Sequence, residues 1–258
     1  MKLKKESGFT LVEIAIVLVV IGLLLGGILK GQQLINSARV RNLADQNSGI
    51  QAAYYGFIDR FRNLPGDMLA ASACTAIGTG VDTFAACATP ASAPGGIVGT
   101  NGGNGRIDTV AEAGSVWPHL SAAGFLNGTF SGQLAGAVTQ LTAVTYPTSV
   151  AIGAVPPNAF QGPIMLAHST GYQNLTSRGT VSRLVYSFGG KIPVPLLRDL
   201  DQKLDDGVAG SGVLRSAPDA ADGTADAFGA ITDYTNGAGQ DCVTPATTDT
   251  WNVDSPNQ

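Results

Sequence analysis

The sequence predicts an α+β chain in which one long N-terminal helix packs on an antiparallel β-sheet with long loops. Three observations predict it. Residues Phe9 to Leu29 read FTLVEIAIVLVVIGLLLGGIL, 21 residues with Glu13 as the single charge. Leu43, Asn47, Ile50, Tyr54, Phe57 and Phe61 then keep a rhythm of three to four residues, while Arg39, Arg41, Asp45 and Asp59 fall elsewhere. Further on, four stretches rich in β-branched and apolar residues (138–146, 149–155, 163–168 and 181–188) read as strands.

At 1.5 Å per residue the first segment spans roughly 30 Å, the hydrocarbon thickness of a bilayer. Lys2, Lys4 and Lys5 precede it and favour a cytoplasmic N-terminus, which leaves everything after Lys30 outside. A secretory signal peptide has a shorter apolar stretch followed by small residues. Here the stretch is longer and is followed by Lys30-Gly31-Gln32-Gln33, so cleavage on the far side has little support. A plain signal anchor leaves Glu13 unexplained. A carboxylate this far into a membrane span costs on the order of 2–3 kcal/mol unless it finds a partner.

Lys4-Lys5-Glu6-Ser7-Gly8-Phe9-Thr10-Leu11-Val12-Glu13 resembles the processing site of type IV prepilins and type II secretion pseudopilins. In that family a basic leader ends in Gly, a prepilin peptidase cuts before Phe or Met, and the new amine is methylated. The resemblance therefore implies removal of residues 1–8 by cleavage between Gly8 and Phe9, with methylation on Phe9. It also assigns Glu13 to assembly, where the acid pairs with the amine of a neighbouring subunit. An ion pair is far stronger in a low dielectric than in water, so the membrane penalty on Glu13 becomes a drive toward docking. The implied partners are other pilin or pseudopilin subunits, the prepilin peptidase and the inner-membrane assembly machinery. The precursor is expected in the bacterial inner membrane as a single-pass protein, and the mature chain in a periplasmic pseudopilus or an extracellular pilus.

The expected organisation follows in order. Residues 9–29 form the transmembrane and filament-core part of the helix, and 30–61 its amphipathic half; the whole runs about 80 Å from Phe9 to Phe61. Gly22, Gly26, Gly27 and Gly31 interrupt the apolar half, either for close helix packing, with Gly27 and Gly31 as a G-x-x-x-G pair, or for local unwinding. Asn63-Leu64-Pro65-Gly66-Asp67 ends the helix, because a residue before proline is driven out of the helical region. A turn is sufficient explanation there, and Asp67 receives no chemistry. The head, 62–258, holds a loop-rich region at 69–136 with a short helix around Trp117 to Ala123. A second helix, from Pro193 to Leu204, places Leu196, Leu197, Leu200 and Leu204 on one face, and a Gly-, Asp- and Thr-rich tail occupies 208–258.

The bulk composition limits the function. Charged residues make up 13% of the 258 and glycines number 34, which suits a loop-rich extracytoplasmic protein. The net charge is −4; with the leader at +2, the remainder carries −6, which argues against nucleic-acid binding over its surface. The three cysteines, Cys74, Cys87 and Cys242, form no CxxC or Cys/His cluster. Export implies one disulfide, for which Cys74–Cys87 is the local choice, worth roughly 3 kcal/mol in the chain-entropy model. Pairing of Cys242 with either of the others stays open. His119 and His168 stand 49 residues apart without a neighbouring Cys or His, and no nucleophile elbow surrounds Ser169, so an enzyme is not expected. No cofactor is expected either, with calcium the one ligand weighed. Asp199, Asp201, Asp205 and Asp206 cluster before Gly207 without EF-hand spacing. The loop Asn101–Asp108 offers oxygens, with Glu112 twelfth from Asn101, but Gly103 and Gly105 supply no side chain. A solvated turn is the better reading of both. The leading function is a structural subunit of a type IV pilus or type II secretion pseudopilus. The alternative is a minor pilin whose exposed loops act as an adhesin or ligand-binding module.

Overall fold

The computed structural model describes residues 11–78, 103–132, 153–169, 182–189, 192–209 and 211–214. Helix α1 spans Leu11–Phe61, 51 residues without a break, about 75 Å at the standard rise. It runs straight through Gly22, Gly26, Gly27 and Gly31, and a Cβ at each would meet nothing within 4 Å. Its buried residues begin at Val40 and recur at Leu43, Ile50, Ala53, Tyr54 and Phe57, the stripe that the three-to-four spacing predicts.

Helix α2 covers Ala70–Ile77 and α3 Val110–Ala122. Strands β1 (Met165–Ser169) and β2 (Arg183–Ser187) pair antiparallel, with Met165 opposite Ser187 and Ser169 opposite Arg183. Helix α4 covers Val194–Leu204. A two-stranded sheet is marginal by itself; here β1 lies against α3, so the sheet borrows a helical backing. Long helix, small antiparallel sheet and further helices make the α+β, pilin-like plan.

Two apolar clusters use the α1 stripe in turn. Val40 and Leu43 meet Ile192, Leu196, Leu200 and Leu214, so α4 covers the middle of α1. Ile50, Tyr54 and Phe57 join Ile107, Trp117, Leu120, Ile164 and Met165 in the larger cluster. Phe57 is its centre on α1: its ring lies 4.6 Å from that of Phe61 and 6.2 Å from those of Phe125 and His119.

The structure differs from the sequence expectations at particular places. The region 69–136 contains two helices rather than one short one. Helix α2 is an Ala-rich helix of about two turns with no apolar stripe to announce it, and α3 begins seven residues before Trp117. The early start comes from a capping box: Thr109 accepts from the Glu112 amide while Glu112 accepts from the Thr109 amide. The strand expected at 138–146 lies outside the described residues. Of 149–155, the described residues 153–155 form a turn; Gly153 has φ 82°, and Pro156 and Pro157 cannot donate to a ladder. Leu204 ends α4 at 44% exposed, because the last turn of the helix runs past the apolar cluster that holds Leu196 and Leu200.

The exit of α1 is the tightest point of the chain. Arg62 and Gly66 take positive φ, 56° and 93°. A Cβ on Gly66 would stand 2.5 Å from the Glu112 carbonyl oxygen and 2.9 Å from Val116 Cγ2. Gly66→Ala is therefore expected to destabilise the head by about 3 kcal/mol or more. Gly124→Ala, at φ 82° but in open space, should cost only backbone strain, about 1–2 kcal/mol. Denaturant unfolding of the full chain in detergent, followed by tryptophan fluorescence, checks the ranking; equal losses would contradict the close approach of α1's exit to α3.

Candidate functional site

Two regions carry features that core packing does not explain. The first is the N-terminal half of α1. From Leu11 to Ile35 its large apolar side chains are open, among them Leu11 at 90% and Leu23 at 73% exposed. This helix is long and apolar enough to cross a membrane. Glu13 sits in its first turn, on an exposed position among Leu11, Val12, Ile14 and Ile16. An acidic side chain there also faces the positive end of the helix dipole. Gly8 and Phe9 lie outside the described residues.

The second region is the polar joint where α1 gives way to the head. Asp67 is 5% exposed, and its carboxylate gathers a loop 36 residues away. Oδ1 accepts from the amides of Gly103 at 2.7 Å and Asn104 at 3.2 Å, and Oδ2 from that of Gly105 at 2.7 Å. Asp67 is thus more than a turn residue: it satisfies three backbone donors with one charge. The same loop docks on β1, where Ile107 and His168 exchange bonds: Ile107 N–H donates to His168 Nδ1 at 2.9 Å and the His168 amide donates to the Ile107 carbonyl at 2.7 Å.

Both histidines act as acceptors, and so are held neutral. His119 Nδ1 accepts from the Gly66 amide at 2.9 Å, and its ring stacks on Phe57 at an interplanar angle of 5°. Burial pushes its pKa down to about 4. Burial also lowers that of His168, with the charge of Arg106 acting in the same direction. Glu112 is 1% exposed; its Oε2 accepts from the amides of Asp108 at 2.9 Å and Thr109 at 3.0 Å. Burial raises its pKa, and a contact with the Asp108 side chain pushes the same way.

The remaining sequence candidates fall as follows. Cys74, on α2, is disulfide-bonded, while Cys87 and Cys242 lie outside the described residues. Asp201, Asp205 and Asp206 come together with carboxylate oxygens within 4.8 Å of one another. Asp199 stays apart and pairs with Arg198 at 3.9 Å on the surface. Much of that acidic group is spent on closing the turn after α4. Asp206 accepts from the Val208 amide and the Ser211 hydroxyl, and Asp205 from the Val213 amide.

Residues 3–29 match the family model of the prokaryotic N-terminal methylation motif. The match supports membership of the type IV pilin and pseudopilin family. It ends at Leu29, so it covers the exposed N-terminal part of α1 and the residues just before it, and none of the head. No curated protein and no solved structure matches the chain. Pilin-like proteins of this family are structural rather than enzymatic. The motif and the apolar helix together are consistent with a precursor anchored in the inner membrane.

The joint of this pilin-like chain predicts an acid sensitivity. The unfolded His119 takes up a proton as pH falls below about 6.5, whereas the folded one resists until about 4. Stability from this group is complete above about pH 6.5, falls between about 6.5 and 4, and is lost on the order of 3 kcal/mol by the lower limit. His119→Asn, which keeps an acceptor for Gly66 but does not titrate, should flatten that slope in part. Urea unfolding of the full chain between pH 4 and 8 measures it; identical slopes in the two proteins would contradict a neutral His119.

Proposed function

We propose that the chain is a structural subunit of a type IV pilus or type II secretion pseudopilus, cleaved between Gly8 and Phe9, methylated on Phe9 and assembled through α1. The observation that carries this reading is the division of one continuous helix. Val40 to Phe57 is buried against the head, while Leu11 to Ile35 is open and apolar, directly after a leader with the methylation motif. Such a surface has two compatible environments, a bilayer before assembly and neighbouring helices after it.

Glu13 gives the transfer between them a direction. In lipid a carboxylate is costly, and beside a cationic N-terminal amine of an adjoining subunit the cost is offset. Cleavage supplies that amine four residues before Glu13, at the edge of the apolar segment. The partners in this reading are other subunits, the prepilin peptidase and the inner-membrane assembly machinery, and the mature chain resides in the filament.

Glu13→Ala and Glu13→Leu are expected to leave the protein inserted in the inner membrane but to lower its incorporation into filaments at least about tenfold, as loss of about 1.4 kcal/mol or more implies. Fractionating cells into membrane and sheared filament pools, with immunodetection of the chain in each, measures both quantities. Wild-type incorporation of either variant would remove the assembly role from Glu13.

A further inference from the structure

Two Asn-Gly pairs stand among the described residues, Asn104-Gly105 and Asn127-Gly128. They match closely: all four residues are exposed, and both glycines take positive φ, 78° and 109°. Their hydrogen bonding differs. At the first pair the Gly105 amide donates to Asp67 Oδ2 at 2.7 Å. The Asn104 side chain is held at both polar atoms: Oδ1 accepts from the Arg106 amide at 2.7 Å, and Nδ2 donates to Asp108 Oδ2 at 3.1 Å. At the second pair, neither the Asn127 side chain nor the Gly128 amide makes a hydrogen bond among the described residues. Only the Gly128 carbonyl is engaged, accepting from the Ser121 hydroxyl.

An asparagine followed by glycine loses its side-chain amide without an enzyme, because no side chain on the next residue shields the main-chain nitrogen. We propose that Asn127 is a self-modification site of the head, and that Asp67 shields Asn104 from the same reaction. The Gly128 nitrogen gives up its proton and attacks Asn127 Cγ; the new N–Cγ bond displaces Nδ2, which leaves as ammonia. Water then opens the five-membered imide at either carbonyl, giving aspartate or isoaspartate. One water enters and one ammonia departs, so no oxidant or metal is needed. The step requires a deprotonated nitrogen brought up to Cγ. A carboxylate already bonded to the Gly105 N–H opposes a second negative charge there, and the two tethers on Asn104 hold its Cγ in place. Neither restraint acts at Asn127. Aspartate at 127 adds a negative charge to the loop whose Ala123 carbonyl accepts from Arg60 at the end of α1. Isoaspartate lengthens the main chain by one methylene between Leu126 and Phe130, which both pack against the larger apolar cluster. Either product accumulates with time, so old and new copies of the chain differ in this loop. The chemistry is the same whether or not the chain enters a filament.

Incubation of the full chain in detergent at mildly alkaline pH tests the proposal. Peptide mass spectrometry localises each gain of one mass unit and separates aspartate from isoaspartate. In the folded chain Asn127 is expected to convert at least about tenfold faster than Asn104; in urea, where the hydrogen bonds are gone, the two rates should come within about threefold. Asp67→Asn should raise the rate at Asn104 in the folded chain at least about fivefold and leave that at Asn127 unchanged. The urea comparison decides the matter even where Asp67→Asn fails to fold. Equal rates in the folded chain would overturn the proposal, as would a gap that persists in urea, since local sequence rather than the fold would then set it. An unchanged Asn104 rate in folded Asp67→Asn would overturn the shielding by Asp67.

Discussion

The structure depends on one constraint: an apolar helical surface that none of the described residues of the head covers. From Leu11 to Ile35 nearly every large side chain of α1 is aliphatic and open, while the same helix is buried from Val40 onward. Leaving that many aliphatic side chains in water would cost tens of kcal/mol at about 1.5–3 kcal/mol each, several times the net stability of an ordinary domain. Among the described residues the head's apolar clusters are filled by the C-terminal half of α1, α3, α4 and the two strands. A lipid or helical environment for this half of α1 is consistent with its length, its apolar character and the N-terminal methylation motif it carries.

The division along α1 places a mechanical demand on its C-terminal end. Whatever holds the apolar half must transmit position to the head through the residues that follow Phe61. They are tied down accordingly. Gly66 lies against the carbonyl of Glu112, its amide donates to His119, and Asp67 fixes the loop at 103–105 through three amides. Glu112 caps α3 in the same volume, so the exit of α1, the loop and the start of α3 share one polar network. Buried polar networks of this kind specify a single arrangement when their members are satisfied.

The sequence made some of this legible and concealed the rest, for physical reasons. The long helix, its buried stripe, α4 and the strands at 165–169 and 183–187 follow from local periodicity and β-branched content, and they stand where those patterns put them. Helix α2 has neither stripe nor cap to mark it, and the first turn of α3 was signalled only by Thr109-x-x-Glu112, a pattern legible in principle. The roles of Asp67, His119 and His168 were not legible at all. Each binds backbone amides far away in sequence, and nothing in their local neighbours encodes that distance. Asp199 to Asp206 looked like one acidic group, yet Asp199 turns to Arg198 while Asp201 lies by Asp205 and Asp206, which close the turn after α4; the helical angle between positions 199 and 201 separates the first two.

The proposed assembly has the chain cut between Gly8 and Phe9, where the apolar segment begins. Intact-mass and N-terminal peptide mass spectrometry of the chain purified from normal cells and from cells without prepilin peptidase tests that directly. The expected result is a mature chain starting at N-methylated Phe9 in the first and an unprocessed chain retaining the leader, Met1 to Gly8, in the second. A leader still attached in normal cells, or cleavage beyond Leu29, would contradict it.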